Sequence, residues 1–209
     1  KGRLLVDLRV EGPCGHSGVD RVGVIEQAVA WWNQVVRYSQ AFNTTRVGPF
    51  RQLLPSLRSL QSGSDGLVEW AEMRAGLRLP PDLAQATLEA GLHALTGDVV
   101  TAPAQADLVC TGYEPAFVAN KNNAIVRAFL ATIRHHGGQP AFLLKTGTSD
   151  MNVVGPAWDC PILAYGPGDS HLDHTPEEYI VITDYVRAIA ILEMALRQLT
   201  ANRGVMGVS

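Results

Sequence analysis

Cysteine is scarce in this chain: three residues in 209, Cys14, Cys110 and Cys160, lie far apart in sequence and form no CxxC pair. An odd, scattered set argues against a disulfide framework or a structural zinc knot, and fits a reducing cytoplasm. Excess positive charge is also missing. The net charge is −3 with pI near 6.1, and Lys and Arg are scattered rather than striped. The electrostatic footprint of a nucleic-acid binder is therefore absent. No apolar run approaches the roughly 18 residues of a membrane span and no basic-then-apolar leader opens the chain, so a soluble protein is expected. A methionine is missing too: the chain opens at Lys1 and enters a strand pattern almost at once, which points to a fragment whose natural amino terminus lies upstream.

What the chain has is apolar content: 46% of its residues are hydrophobic and 18% charged, a balance that allows a substantial buried core. Leu4, Val6, Leu8 and Val10 alternate with Leu5, Asp7, Arg9 and Glu11, the period of two that marks a strand with one buried face. After a Gly-rich turn, Ile25, Ala28, Val29, Trp32, Val35 and Val36 recur at helical spacing to about Asn43. Residues 52–60 and 67–79 read as a hairpin joined by Ser62-Gly63-Ser64-Asp65-Gly66, a composition suited to positive φ and Asx turns. Pro80-Pro81-Asp82 then stops the strand, with Asp82 expected to cap a helix through about Leu95. A last strand is expected near 106–112. The order strand, helix, strand, strand, helix, strand predicts the ferredoxin-like βαββαβ plan, a compact first domain over 1–115.

From Asn120 the pattern changes. It predicts a helix over 123–136 closed by Gly137-Gly138, short apolar strands at 141–146 and 161–165, and a long helix from Asp184. The buried seam of that helix is expected to run through Tyr185, Ile189, Leu192, Leu196 and Leu199. Helices alternating with short apolar strands imply an α/β layer, and two strands cannot complete such a sheet. The rest of the sheet is expected from sequence outside these residues.

Three segments on loops leaving strands stand out as candidate chemistry. His16, in Gly15-His16-Ser17, reads either as a turn histidine or as an electrophile that donates to a developing oxyanion. Gly147-Thr148 reads either as a strand exit or as a backbone and hydroxyl nest for a substrate carboxylate. His174, in His174-Thr175-Pro176-Glu177-Glu178, reads either as the organiser of a capped turn or as a metal ligand tuned by neighbouring carboxylates.

Taken together, Gly166-Pro167-Gly168-Asp169 followed by His174-Thr175-Pro176-Glu177-Glu178-Tyr179 resembles the GPG…HxP[DE]EY signature of the di-zinc amidohydrolases, the family of acetylornithine deacetylase and succinyl-diaminopimelate desuccinylase. The segment 145–158, KTGTSDMNVVGPAW, is most similar to the branch that frees lysine or ornithine from an amino-group carrier protein. The resemblance spans nearly the whole chain. It implies that 1–115 is a ferredoxin-like lid and dimerisation domain, and that 116–209 is the carboxyl-terminal part of an α/β zinc-hydrolase domain. It makes His174 the terminal metal ligand, His16 a group that polarises the scissile carbonyl in the neighbouring subunit, and Arg78 the lid arginine for the substrate carboxylate, assisted by Gly147 and Thr148.

It also implies two zinc ions, or cobalt, in the intact enzyme, a homodimer, and a small N-acyl amino acid or carrier protein as substrate. Two departures stand out. The lid asparagine of many members is replaced around Asp65-Gly66, and the family's HxD motif, bridging aspartate and Glu-Glu pair precede the lid and are absent from these residues. Weak or no metal binding and no turnover by the fragment itself are therefore expected. The competing expectation is a non-catalytic dimerisation or amino-acid-binding module in which Arg78 is a surface ion-pair residue.

Overall fold

The computed structural model describes residues 1–15 and 21–203, and the chain divides into two compact units. One comprises Lys1–Phe117 with Leu144–Val153, the other Val118–Leu143 with Val154–Ser209. In the first unit the elements run β1 (Gly2–Pro13), α1 (Val24–Asn43), β2 (Leu54–Ser64), β3 (Val68–Leu79), α2 (Gln85–Val99) and β4 (Gln105–Glu114). The strands form one antiparallel sheet in the order β2-β3-β1-β4.

The alternation read in β1 is the one that folds. Its even-numbered residues from Gly2 to Gly12 are buried, and Leu4, Val6, Leu8 and Val10 join Ala71, Met73, Ala75, Leu77 and Leu79 of β3 in one core. Val24, Ala28, Trp31 and Val35 of α1 and Leu88 and Leu92 of α2 close over the same face. Each fully buried aliphatic side chain contributes roughly 1.5–3 kcal/mol. The Trp31 indole Nε1 donates to Thr96 Oγ1 at 3.1 Å, so the largest core side chain is buried with its polar atom satisfied. The buried stripe of α1 runs through Val24 and Trp31, one position from the expected one, and leaves Ile25 and Val29 exposed.

The hairpin turn is the Asx turn expected. Asp65 Oδ1 accepts from the amides of Leu67 (2.9 Å) and Val68 (2.8 Å), and Gly66 takes a φ of 93°, open to glycine at little cost. The expected cap on α2 is not formed. Asp82 lies before the helix and both its oxygens accept from Arg46 Nη1, while the N-cap is Ala84 with no side-chain bond. A charge-assisted pair outcompetes a neutral amide for that carboxylate.

In the second unit, α3 (Ala124–His135) is capped by Asn123 Oδ1, which accepts from the Val126 amide at 2.9 Å, and ends at Gly137 with φ 74°. A short α4 (Met151–Ala157) spans the division between the units, and α5 runs Ile182–Arg203. Two corrections apply to this unit's sequence reading. Residues 141–146 and 161–165 form no strand, because a strand needs a paired neighbour and none lies beside them among the described residues. Phe142, Leu143 and Leu144 are left exposed. Of the expected α5 seam only Leu199 packs against α3: Ala188, Ile191 and Ala195 are the buried residues, the last two packed with Ala128 and Phe129 of α3, whereas Tyr185, Ile189, Leu192 and Leu196 are exposed. Ala128 and Ala195 allow the two helices to approach around Phe129 and Ile191.

No helix among the described residues is long and apolar enough to cross a membrane, and Cys14, Cys110 and Cys160 are unpaired.

Leu8 is 2% exposed at the centre of the sheet, so Leu8→Ala should destabilise the chain by about 2–5 kcal/mol in urea titration with an unchanged m-value. A loss under about 1 kcal/mol would mean that the core tolerates the cavity. Lys1 yields a second expectation. Its Nζ donates to the carbonyls of Pro49 (2.8 Å) and Gln52; burial, and then the neighbouring Arg78, lower its pKa from 10.5 to about 8. Above pH 8 the folded chain sheds a proton that the unfolded chain still holds, so stability should climb from about pH 8 toward the ordinary lysine range. Lys1→Met should lack that climb, and parallel urea-midpoint profiles for the two proteins between pH 7.5 and 10 would contradict it.

Candidate functional site

Strand register sets the first part of the site. Arg78 is the penultimate residue of β3, opposite Arg3 on β1 and Leu54 on β2. Its neighbours Leu77 and Leu79 point into the core, so alternation puts Arg78, Gly76 and Arg74 on the outer face of the sheet. Arg3 lies on that face of β1 and its Nη2 pairs with Glu114 Oε1 of β4 at 2.6 Å.

The segment 145–152 is laid along the start of β1. The Lys1 nitrogen donates to the carbonyls of Lys145 (3.2 Å) and Gly147 (3.1 Å). The buried Asn152 Nδ2 donates to the carbonyls of Lys1 (2.9 Å) and Pro115 (2.7 Å), while its Oδ1 accepts from the Ser149 amide at 3.0 Å. A buried amide with these bonds made fixes the loop, since leaving any of them unmade would cost about 1–3 kcal/mol. So anchored, Thr148 Oγ1 accepts from Arg78 Nη1 at 2.6 Å and donates to the Lys1 carbonyl at 3.3 Å.

The structure thus brings Arg78 and Thr148 into direct contact, with Gly147 adjacent. Thr148 spends its hydroxyl on Arg78 itself, and Gly147 presents its carbonyl to the Lys1 nitrogen. Burial, followed by the positive charges of Arg58 and Arg3, lowers the Arg78 pKa, and only Glu114 opposes the shift. A guanidinium remains protonated under such pressure, so Lys1, Arg3, Arg58 and Arg78 make a cationic corner with one carboxylate. Arg3, one residue before the alternation read from Leu4, could have been placed by extending it; Asn152 lay inside the segment 145–158 without being singled out, and Arg58 carried no signal.

His174 lies in the other unit, in a train of turns over 166–178. The Asp169 carboxylate accepts from the His171 amide at 2.9 Å, Thr175 Oγ1 donates to the Leu172 carbonyl at 2.8 Å, and the Glu178 amide donates to the Thr175 carbonyl at 3.1 Å. His174 has φ 66°, the one non-glycine residue with positive φ among those described. Its amide donates to Glu178 Oε2 at 2.9 Å, and the residue is exposed. Among the described residues no three His, Cys, Asp or Glu side chains are grouped to hold a metal ion. These residues therefore do not form a two-ion cage by themselves, and His174 fits only as a single ligand. His16 falls outside the described residues.

Residues 5–198 match the family described as Peptidase family M20/M25/M40. A LysW-lysine hydrolase of Deinococcus radiodurans is 42% identical over 97% of this chain and 55% of its own length. A protein of Pyrococcus furiosus, named provisionally as a LysW-lysine/LysW-ornithine hydrolase, is 31% identical over 97% of this chain and 54% of its own. Among solved structures, the di-peptidase Dug1p of Saccharomyces cerevisiae superposes with a TM-score of 0.71 at 14% identity, over 93% of this chain and 53% of that one. The chain spans about half the length of the curated relatives it matches. The resemblance to the lysine- and ornithine-releasing branch is thereby borne out, and the chain belongs to the peptidase family M20/M25/M40.

Proposed function

We propose that the protein containing these residues is a metal-dependent hydrolase that cleaves an amide bond and releases lysine or ornithine from an N-acyl or carrier-protein-linked precursor in amino-acid biosynthesis. The observation that carries this reading is the 42% identity with a LysW-lysine hydrolase across 97% of the chain. Residues 1–115 serve as a ferredoxin-like lid, a reading supported by the antiparallel order β2-β3-β1-β4 with both helices on one face. A homodimer through this domain is supported by β2, an edge strand of 11 residues with Leu57 and Leu60 exposed; unpaired edges of that kind accept a further strand.

Within the lid, Arg78 anchors the carboxylate of the amino acid to be released. The Thr148 hydroxyl holds one end of its guanidinium, and the remaining N–H groups are free to make charge-assisted bonds to the substrate. Gly147 keeps Thr148 in place through its carbonyl. His16 polarises the scissile carbonyl from the neighbouring subunit, stabilising charge as it develops there.

His174 acts as one metal ligand, and its backbone, fixed by Glu178, aims an exposed imidazole outward. Zinc or cobalt ions, when bound, supply an activated water. Because the described residues offer one convincing ligand, the other ligands are assigned to sequence outside this chain, and the 209 residues alone should bind metal weakly and turn nothing over. The 116–209 portion is on this reading the carboxyl-terminal part of the catalytic domain.

The test is release of free lysine and ornithine by the full-length protein from N-acyl and carrier-linked donors, with and without added zinc or cobalt. Arg78→Ala should raise KM about 10- to 100-fold, a loss of about 1.4–2.8 kcal/mol, with a smaller effect on kcat. Release of neither amino acid from any donor would remove the activity, and an unchanged KM would remove the role of Arg78. In the metal-loaded full-length protein, His174→Ala should lower bound metal measured by plasma mass spectrometry; undiminished metal content would exclude His174 as a ligand.

A further inference from the structure

We propose that Asn152 is a positioning residue for substrate binding: it pins the two chain ends of the lid to the loop that presents Thr148, and through Thr148 it keeps the Arg78 guanidinium aimed. The inference rests on the reading of Arg78 as the carboxylate anchor and goes beyond it by assigning the side chain that sets the direction of that anchor.

Three observations converge on Asn152. The first is how fully its side chain is used. It is 4% exposed, and an asparagine offers two N–H donors and an acceptor. Its Nδ2 donates to the Lys1 and Pro115 carbonyls, and its Oδ1 accepts from the Ser149 amide. The Asn152 amide returns a bond to the Ser149 carbonyl at 2.8 Å, so the turn over 149–152 is closed by reciprocal bonds between its first and last residues.

The second is where its two partners lie. Lys1 precedes β1 and Pro115 follows β4, so one amide nitrogen joins the beginning and the end of the chain that makes up the sheet and its helices. Both carbonyls come within its reach because residue 2 has no side chain. A Cβ on Gly2 would stand 2.5 Å from the Glu114 carbonyl oxygen and 2.7 Å from the Ala116 amide nitrogen. Those atoms are backbone and have little room to give, so β1 starts directly against 114–116 only with glycine at that place.

The third separates aiming the site from holding the fold. β1 and β4 are already paired from Glu11 and Gln105 to Arg3 and Glu114, and the last two are joined by an ion pair. The ladder therefore brings the two chain ends together without Asn152. What Asn152 adds is the loop: it places Thr148 so that one hydroxyl reaches the Lys1 carbonyl and Arg78 at once. A threonine hydroxyl has a single proton, and giving it to Lys1 turns a lone pair toward Arg78. Released from that carbonyl the hydroxyl would rotate. Arg78, a long side chain with the like charges of Arg58 and Arg3 beside it, would then sample several directions. A carboxylate gains most from a guanidinium held in the direction of paired bonds, so the loss falls on binding.

The experiment uses the full-length, metal-loaded protein with Nα-acetyl-lysine, Nα-succinyl-lysine and Nα-(γ-glutamyl)-lysine, following released lysine well below the melting temperature of each variant. Asn152→Ala should raise KM about tenfold while kcat stays within about threefold. Asn152→Asp, equal in size but without the two donors, should do the same, and it serves where the alanine variant does not fold. In an Arg78→Gln background Asn152→Ala should change KM by less than about twofold, because the group it positions is already gone. An unchanged KM in Asn152→Ala, a wild-type KM in Asn152→Asp, a loss confined to kcat, or a tenfold effect that persists beside Arg78→Gln would overturn the positioning role while leaving the hydrolase reading intact. A wild-type KM in Arg78→Gln alone would remove the anchor and this inference together. A full-length protein that releases lysine from no donor would overturn the hydrolase reading and this inference with it.

Discussion

The first unit depends on β1, which lies between β3 and β4 and has two faces with different duties. One face, Leu4, Val6, Leu8 and Val10, is sealed against α1 and α2; the other carries Arg3, Asp7 and Arg9, whose partners lie on the flanking strands. A shift by one residue would exchange these faces and place charges in the core, a cost far above the net stability of a small domain. The core therefore fixes register, and register places Arg3 opposite Arg78.

The same strand holds the candidate site through its entry. The Lys1 carbonyl takes hydrogen bonds from Asn152 and Thr148, and Thr148 in turn accepts from Arg78. A residue far along the chain thereby helps set the guanidinium of a residue in the third strand. Arg78 is held by one hydroxyl, itself tied to a backbone carbonyl, so its charge is left available. A carboxylate in place of Thr148 would hold it as firmly and neutralise it.

Local signals in the sequence were legible where the physics is local. The alternation in β1, the Asx turn at Asp65-Gly66 and the glycine closure of α3 each need only neighbouring residues, and each formed as read. The α2 cap failed because Arg46, distant in sequence, claimed Asp82. The strands at 141–146 and 161–165 failed for a related reason, since an apolar run becomes a strand only beside a partner. The α5 seam failed because Ile182, Tyr185, Val186, Ile189, Leu192 and Leu196 present an apolar surface broad enough that periodicity does not choose between faces. In the site, Arg78 and Thr148 were legible as separate motifs, but their contact was not. Arg58 was silent because the β2 bulge at its position has no signature in spacing.

The left-handed backbone at His174 bears on what that position tolerates. An L-residue with a side chain sits there at a cost of roughly 1–2 kcal/mol relative to glycine, and the turn around it is already secured by bonds from Asp169, Thr175 and Glu178. Glycine at that position would release this cost and keep every one of those bonds, so the strain comes from bearing a side chain there and not from the turn itself.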